Sequence, residues 1–221
     1  EPAGSPLAMS GRRVFVFDLD NTLYPISEIY DAIGDRMTAY IARALSISAE
    51  EALIVRERYF HHYGATVTGL SRHHGIDARE FMDDAHNVDY GVLEADQELA
   101  ALIARLPGRR IVFTNGGGGH GQRALKALGL DAHFERVFDM EDAGFIPKPE
   151  PAAYERLIAA CGLDPREAVL VEDTLKNLEP AHALGFETVL VGAVHPEPRP
   201  AYLDHHFSDV KAYLRDYLAA A

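Results

Sequence analysis

The sequence predicts an α/β fold: a doubly wound, Rossmann-like parallel sheet with a helical domain inserted after its first strand. Three observations predict it. Short apolar runs recur without polar alternation: VFVF (14–17), RIVF (110–113), RVF (136–138), AVLV (168–171) and TVLV (188–191). Strands covered on both faces read in this way. Helical segments with recognisable start and stop signals separate the later runs. Finally, about 90 residues of helical pattern lie between the first two runs, where a crossover needs only a dozen or so.

The elements follow in order. Residues 1–10 read as a flexible leader, with Met9 a candidate native start. The core is assigned to 11–23 and 93–221, and the inserted helical domain to 24–92. That insertion holds SEIYDAIGDRMTAYIARAL, SAEEALIVRERYFHHYG and DAREFMDDAHNV. Ser48 with Glu51 and Asp77 with Glu80 have capping-box spacing. ADQELAALIARLPG stops at Gly108, just before the second strand, and is expected to pack on the sheet. GQRALKALGL stops at Gly129. EPAAYERLIAACGL opens with Pro151 in its first turn and closes at Gly162, the usual asymmetry of helix ends. KNLEPAHALG starts near Lys176, early enough for Pro180 to be tolerated.

Composition removes several function classes. The 221 residues are 48% hydrophobic and 25% charged, ordinary globular material. Formal net charge is −13 and no basic block occurs, so a nucleic-acid polymer or an anionic membrane is not an expected partner. An anionic small molecule requires a site with its own positive charge. The single cysteine, Cys161, permits no internal disulfide and fits a reducing compartment; it reads as a buried helix residue. No apolar run approaches the ~18 residues of a membrane span, and the opening lacks the apolar region of a signal peptide. A cytoplasmic protein is expected, acting as a monomer or homodimer.

In open α/β sheets ligands bind beyond the carboxyl ends of the strands. The first strand ends in Asp18 and Asp20, the second in Thr114 and Asn115, the fourth in Glu172 and Asp173. After the third comes FIPKPEP, where prolines on either side of Lys148 exclude a helix and stiffen the loop. Adjacent strands would then gather several carboxylates, one ammonium, and hydroxyl and amide donors. Crowded carboxylates need a hard cation, and oxygen-only ligands suggest Mg²⁺. A metal, a lysine and donors together describe a phosphoryl site. In it Asp18 is the candidate nucleophile and Asp20 the candidate general acid and base.

FDLDNTLYP, FTN, Lys148 and VEDTLKN resemble, in order and spacing, the four motifs of the haloacid dehalogenase superfamily of phosphohydrolases over residues 12 to about 192. The insertion after strand one looks like that family's C1-type helical cap. The resemblance implies that Asp18 is nucleophile and metal ligand, and that Asp20 is acid and base with its carbonyl on Mg²⁺. It implies further that Thr114 and Lys148 hold the phosphoryl oxygens, with Asn115 beside them, that Asp173 binds the metal, and that Glu172 does so directly or through water. DNTLYP, HHYGATVTGL and DYGVLEAD resemble the pyrimidine 5′-nucleotidase branch, which implies a nucleoside monophosphate substrate with the cap choosing the base. Tyr24, Tyr63 and Thr66 are the candidate substrate contacts. A phosphomutase or a sugar-phosphate or phosphoglycolate phosphatase uses the same residues. A true dehalogenase would not need Asp20 or the metal acids.

Two other patterns compete. NGGGGHGQ contains G-x-G-x-x-G at Gly116, Gly118 and Gly121, with Asp139 at a plausible distance for a ribose contact. That dinucleotide reading leaves Asp18, Asp20, Lys148 and Asp173 unexplained; the glycines read better as a flexible turn whose amides face a phosphate. The eleven histidines include the adjacent pairs His61–His62, His73–His74 and His205–His206. Neighbours in a helix point to different sides, so these read as solvated or packing residues rather than a zinc site.

Overall fold

Val14–Phe17 form strand β1, and its side chains alternate between two separate cores. Phe15 and Phe17 enter one, Val14 and Val16 the other. A strand covered on both faces has no use for polar alternation, hence the unbroken VFVF. Five more strands follow: β2 (Arg109–Phe113), β3 (Arg136–Phe138), β4 (Ala168–Glu172), β5 (Glu187–Val191) and β6 (His205–Phe207). The computed structural model, which describes residues 14–220, joins them in one parallel sheet of order β3-β2-β1-β4-β5-β6. The leader assigned to residues 1–10 lies outside the described residues.

Chain connections run to one side of β1 for β2 and β3 and to the other for β4 to β6. The order reverses between β1 and β4, the position where open sheets place their ligands. Helices α5 (Gln97–Ala104), α6 (His120–Ala127) and α9 (Val210–Ala220) cover the Phe15/Phe17 face. Helices α7 (Pro151–Cys161) and α8 (Leu178–Leu184) cover the other. Gly162 ends α7 in the left-handed conformation expected of it (φ +56°). Cys161 ends α7, a helix residue as read, but is partly rather than fully buried, packed against the Val14/Val16 core.

Strand β6 was not legible as an apolar run, and its His205–His206 pair is extended rather than helical. Its anchors are polar: His205 Nε2 lies 2.9 Å from Glu187 Oε1, and His206 Nε2 lies 2.8 Å from the Gly192 carbonyl oxygen. An edge strand needs fewer apolar residues than a central one.

The insertion is a helical cap of α1 (Ser27–Leu45), α2 (Ala49–Tyr63), α3 (Thr66–His74) and α4 (Ala78–Ala85). Ser48 and Glu51 close the expected capping box at the start of α2, and Asp77 accepts the Glu80 amide at the start of α4. Helix α3 was missed because Thr66, Val67, Thr68 and Gly69 are poor helix formers. Tertiary packing overrides them. A β-carbon on Gly69 would lie 2.2 Å from Tyr59 Cγ, so only glycine lets α3 approach α2 there.

The cap and core share residues. Ile29 and Ile33 of α1 belong to the sheet-side core, while Tyr40 and Ile41 of the same helix belong to the cap interior. Met140, from the loop after β3, completes that interior. The cap is therefore seated on the carboxyl end of the sheet.

Candidate active site

Strand β1 hands the chain to Asp18, whose amide still bonds the Val171 carbonyl of β4 at 2.9 Å. Its carboxylate is thus fixed by the sheet itself. Asp18 Oδ1 accepts from Lys148 Nζ at 2.7 Å and Oδ2 from the Thr22 hydroxyl at 2.9 Å. Lys148 gives its other two hydrogens to Glu172 Oε2 (2.8 Å) and the Phe113 carbonyl (2.9 Å). Glu172 Oε1 accepts the amides of Asp173 and Thr174, tying down the loop after β4. Strands β1, β2 and β4 are neighbours, so their ends bring these groups together.

The charges in this cluster do not balance. Asp18, Glu172 and Asp173 each offer an oxygen, all within 4.8 Å of one another, against one ammonium. Burial, then the Glu172 charge, pushes the Asp18 carboxyl up to about 7, with Lys148 opposing. Burial also raises Glu172 and Asp173. Burial would lower the Lys148 ammonium, but Asp18 and Glu172 carry it above its ordinary value. Three crowded oxygens with raised pKa values are what a hard divalent cation relieves, and the donor set fits one.

Asp20 sits apart from this cluster. Its Oδ1 accepts from the Tyr24 hydroxyl at 2.5 Å, and His120 Nε2 lies 2.8 Å from Oδ1 and 3.1 Å from Oδ2. Burial would raise the Asp20 carboxyl, but His120 and Tyr24 outweigh it and hold it below its ordinary value. His120 escaped the sequence reading because it stands inside the glycine run. The one signal was its place, at the start of a helix just beyond β2.

A cavity of about 240 Å³ opens between cap and core. Asp20, Asn115, Gly116 and His120 form part of its lining, and Ile33, Met37, Val67, Phe81 and Met82 give it apolar walls. Tyr30 and Phe60, which also line it, are 57% and 52% exposed. Of the three cap-side candidates only Thr66 lines this cavity, and its hydroxyl donates to the Arg56 carbonyl. Tyr24 is buried against Asp20, while the Tyr63 hydroxyl meets the His73 ring at 2.5 Å. Thr114 is buried at the end of β2, where its Oγ1 accepts the Gly116 amide. Asn115 spends its side chain on Lys148: it accepts that residue's amide at 2.8 Å and donates to its carbonyl at 3.1 Å. Its side chain orients the lysine loop.

The glycine run serves packing. A β-carbon on Gly117 would lie 2.9 Å from Met82 Cε, and one on Gly118 would lie 2.6 Å from the Met82 carbonyl oxygen. One on Gly121 would lie 2.6 Å from Val137 Cγ1. The loop passes tightly under α4 of the cap and is no loose turn. Asp139 Oδ1 accepts the Glu141 and Asp142 amides, closing a turn instead of awaiting a ribose.

A sheet reversed beside its first strand, a helical cap over it and an acidic cluster around a buried lysine define a capped, doubly wound α/β domain with a candidate divalent-cation site. The family model for haloacid dehalogenase-like hydrolases matches residues 12–185, and the chain belongs to that family. Phosphate metabolism protein 8 of Saccharomyces cerevisiae is 28% identical over 212 residues, 86% of this chain and 64% of that protein. Phosphoglycolate phosphatase of Haemophilus influenzae is 28% identical over 166 residues, 71% of this chain and 65% of that protein. The chain spans less than two thirds of either relative. Among solved structures, a HAD phosphatase from Thermococcus onnurineus superposes with a TM-score of 0.64 at 19% identity, covering 94% of this chain and 98% of that one. This likeness carries the fold. No described helix is long and apolar enough to cross a membrane.

Proposed function

We propose that the protein is a Mg²⁺-dependent phosphomonoesterase working through an aspartyl-phosphate on Asp18. One observation carries this: two carboxylates two residues apart, one bonded to a buried lysine inside an acid cluster, the other held by His120 and Tyr24 at a cavity. Asp18, Asp173, the Asp20 carbonyl and Glu172 would hold the cation. Bound there, it would offset their charge and draw electron density from the phosphoryl oxygens.

The residues divide the work. The negative charge of a bound phosphoryl group opposes His120 and Tyr24 and lets Asp20 take up a proton. An Asp18 oxygen then bonds to phosphorus while the ester P–O bond breaks, and Asp20 gives that proton to the departing oxygen. Water then attacks phosphorus as Asp20 takes its proton, and the bond to Asp18 breaks. Both carboxyl groups end as they began. Lys148 and Thr114 hold the phosphoryl oxygens; Lys148 exchanges one present partner for the substrate. The name of the Haemophilus relative supports a phosphomonoester as the substrate class.

The cavity receives the leaving group. Arg56, Glu57 and Asn115 in its lining leave partners for one ribose, while the apolar walls suit a flat base better than a further hydroxyl-rich ring, whose buried hydroxyls cost energy when unpaired. Tyr30 and Phe60 offer flat faces to a ring. With the resemblance of DNTLYP and the cap segments, this favours nucleoside 5′-monophosphates over sugar phosphates and phosphoglycolate, and hydrolysis over a mutase. The test is phosphate release from these substrates with Mg²⁺ and with excess chelator. Release that persists in chelator overturns the metal assignment. Release from none of them overturns the reading.

A further inference from the structure

We infer that His120 is a positioning residue for Asp20: it fixes the carboxylate so that Oδ2 is the oxygen that gives and takes the proton, and Tyr90 fixes His120 in turn. The inference rests on the phosphomonoesterase reading and deepens it.

The His120 side chain is 0% exposed, so both ring nitrogens need partners inside the protein. They have them. Nε2 faces Asp20, and Nδ1 lies 2.8 Å from the Tyr90 hydroxyl. That hydroxyl has one hydrogen and two possible acceptors, Nδ1 and the His86 carbonyl at 3.2 Å. An ionised carboxylate only accepts, so Nε2 must carry the hydrogen it shares with Asp20, while the Tyr90 hydroxyl partners the other ring nitrogen.

The accounting at Asp20 then singles out one oxygen. Oδ1 receives two donors, Tyr24 at 2.5 Å and His120 at 2.8 Å. Oδ2 has only the longer arm from His120, at 3.1 Å, and keeps a lone pair for chemistry. As the charged phosphoryl group binds, that lone pair takes up a proton, and in the first step the proton moves from Oδ2 to the departing oxygen as its bond to phosphorus breaks. In the second, Oδ2 takes a proton from water as oxygen bonds to phosphorus and Asp18 leaves.

The imidazole is held in its plane as well. The His86 ring packs against it, 4.8 Å between centroids. Gly116 leaves it space, since a β-carbon there would lie 2.6 Å from His120 Cδ2. The Arg123 guanidinium donates to the His86 carbonyl at 2.8 Å and lies over the Tyr90 ring. His86 and Tyr90 are on the segment returning from the cap, and Tyr24 is on the segment leaving for it. Both crossings between cap and core therefore bear on the one carboxylate.

The test separates proton transfer from phosphoryl transfer. p-Nitrophenolate departs without a proton, whereas an alkoxide does not. In His120→Leu the steady-state kcat for a nucleoside 5′-monophosphate should fall roughly 100-fold, within the range of acid–base catalysis, with KM nearly unchanged. The same variant should release one equivalent of p-nitrophenol per site at close to the wild-type rate and then slow. His120→Gln, whose amide donates to Asp20 and accepts from Tyr90, should recover at least tenfold of the loss. Tyr90→Phe should lose about tenfold, between the two. His120→Gln and Tyr90→Phe nearly conserve volume and carry the test if the leucine variant does not fold. Burst and turnover falling together, glutamine rescuing nothing, or all three variants turning over as wild type would each overturn the inference. If the wild type releases no phosphate from any substrate, the phosphomonoesterase reading falls and this inference with it.

Discussion

Binding of Mg²⁺ should depend on pH, by an amount the Asp18 environment sets. Without a cation the folded-state Asp18 carboxyl titrates at about 7, against 3.8 for the unexposed-to-neighbours reference. A raised carboxyl works against folding: between those two values the unfolded chain is ionised while the folded one holds a proton, so stability falls as pH rises. A metal ligand must be deprotonated, and at pH 5.5 most of the folded protein carries that proton. Integrated for this one group, the difference between pH 5.5 and 8 is about 2 kcal/mol, or roughly a 30-fold tighter apparent Mg²⁺ affinity at the higher pH. Glu172 and Asp173, also raised, add in the same direction. His86, pushed down to about 4 by burial, titrates outside the acid cluster with or without Mg²⁺, so its share cancels in the comparison. The assay is thermal unfolding at both pH values across a Mg²⁺ titration. At a saturating concentration the Mg²⁺-dependent rise in Tm should be about 4–8 °C larger at pH 8. Equal affinity at the two pH values would refute the claim that Asp18 is both buried among acids and a metal ligand.

Three further outcomes are expected. Lys148→Met should abolish turnover and cost about 3–5 kcal/mol in denaturant unfolding with chelator present, since it leaves Asp18 and Glu172 buried without their cation; a loss below 1 kcal/mol would contradict the charge accounting. Gly118→Ala should destabilise at least twice as much as Gly162→Ala by urea unfolding. Both positions have positive φ, but only at Gly118 would the new carbon meet backbone, 2.6 Å from the Met82 oxygen. Tyr30→Ala and Phe60→Ala, at exposed positions, should leave stability within about 0.5 kcal/mol. Each should raise KM for a nucleoside 5′-monophosphate at least roughly fivefold through lost stacking, and leave p-nitrophenyl phosphate less affected; equal KM changes for both substrates would remove these rings from recognition.

The central strands and the acid cluster were legible because each residue there answers to a local rule. Unbroken apolarity gave β1, β2 and β4 their places, and the polar residues at their ends were the only ones available where burial stops. Capping residues marked α2 and α4 from Ser48 and Asp77. What stayed hidden depends on contacts between distant segments. Helix α3 exists because Gly69 lets it lie on Tyr59, and β6 because polar side chains anchor it to β5. His120 gains its meaning from Asp20, a hundred positions earlier in the chain, and Tyr90, thirty earlier. Likewise the Asn115 side chain is bonded to the Lys148 backbone, thirty-three positions away, and the glycine run lies against α4, contacts that no local pattern announces.

The most direct measurement is to trap the covalent intermediate. Asp20→Asn keeps an oxygen acceptor for Tyr24 and His120 but cannot take a proton from water. The variant should be mixed with p-nitrophenyl phosphate and Mg²⁺, quenched in acid, digested and examined by mass spectrometry. About one phosphate per site should be found on the peptide that contains Asp18, after a burst of p-nitrophenol and near-arrest. Sustained turnover with no covalent phosphate at Asp18 would contradict the covalent mechanism.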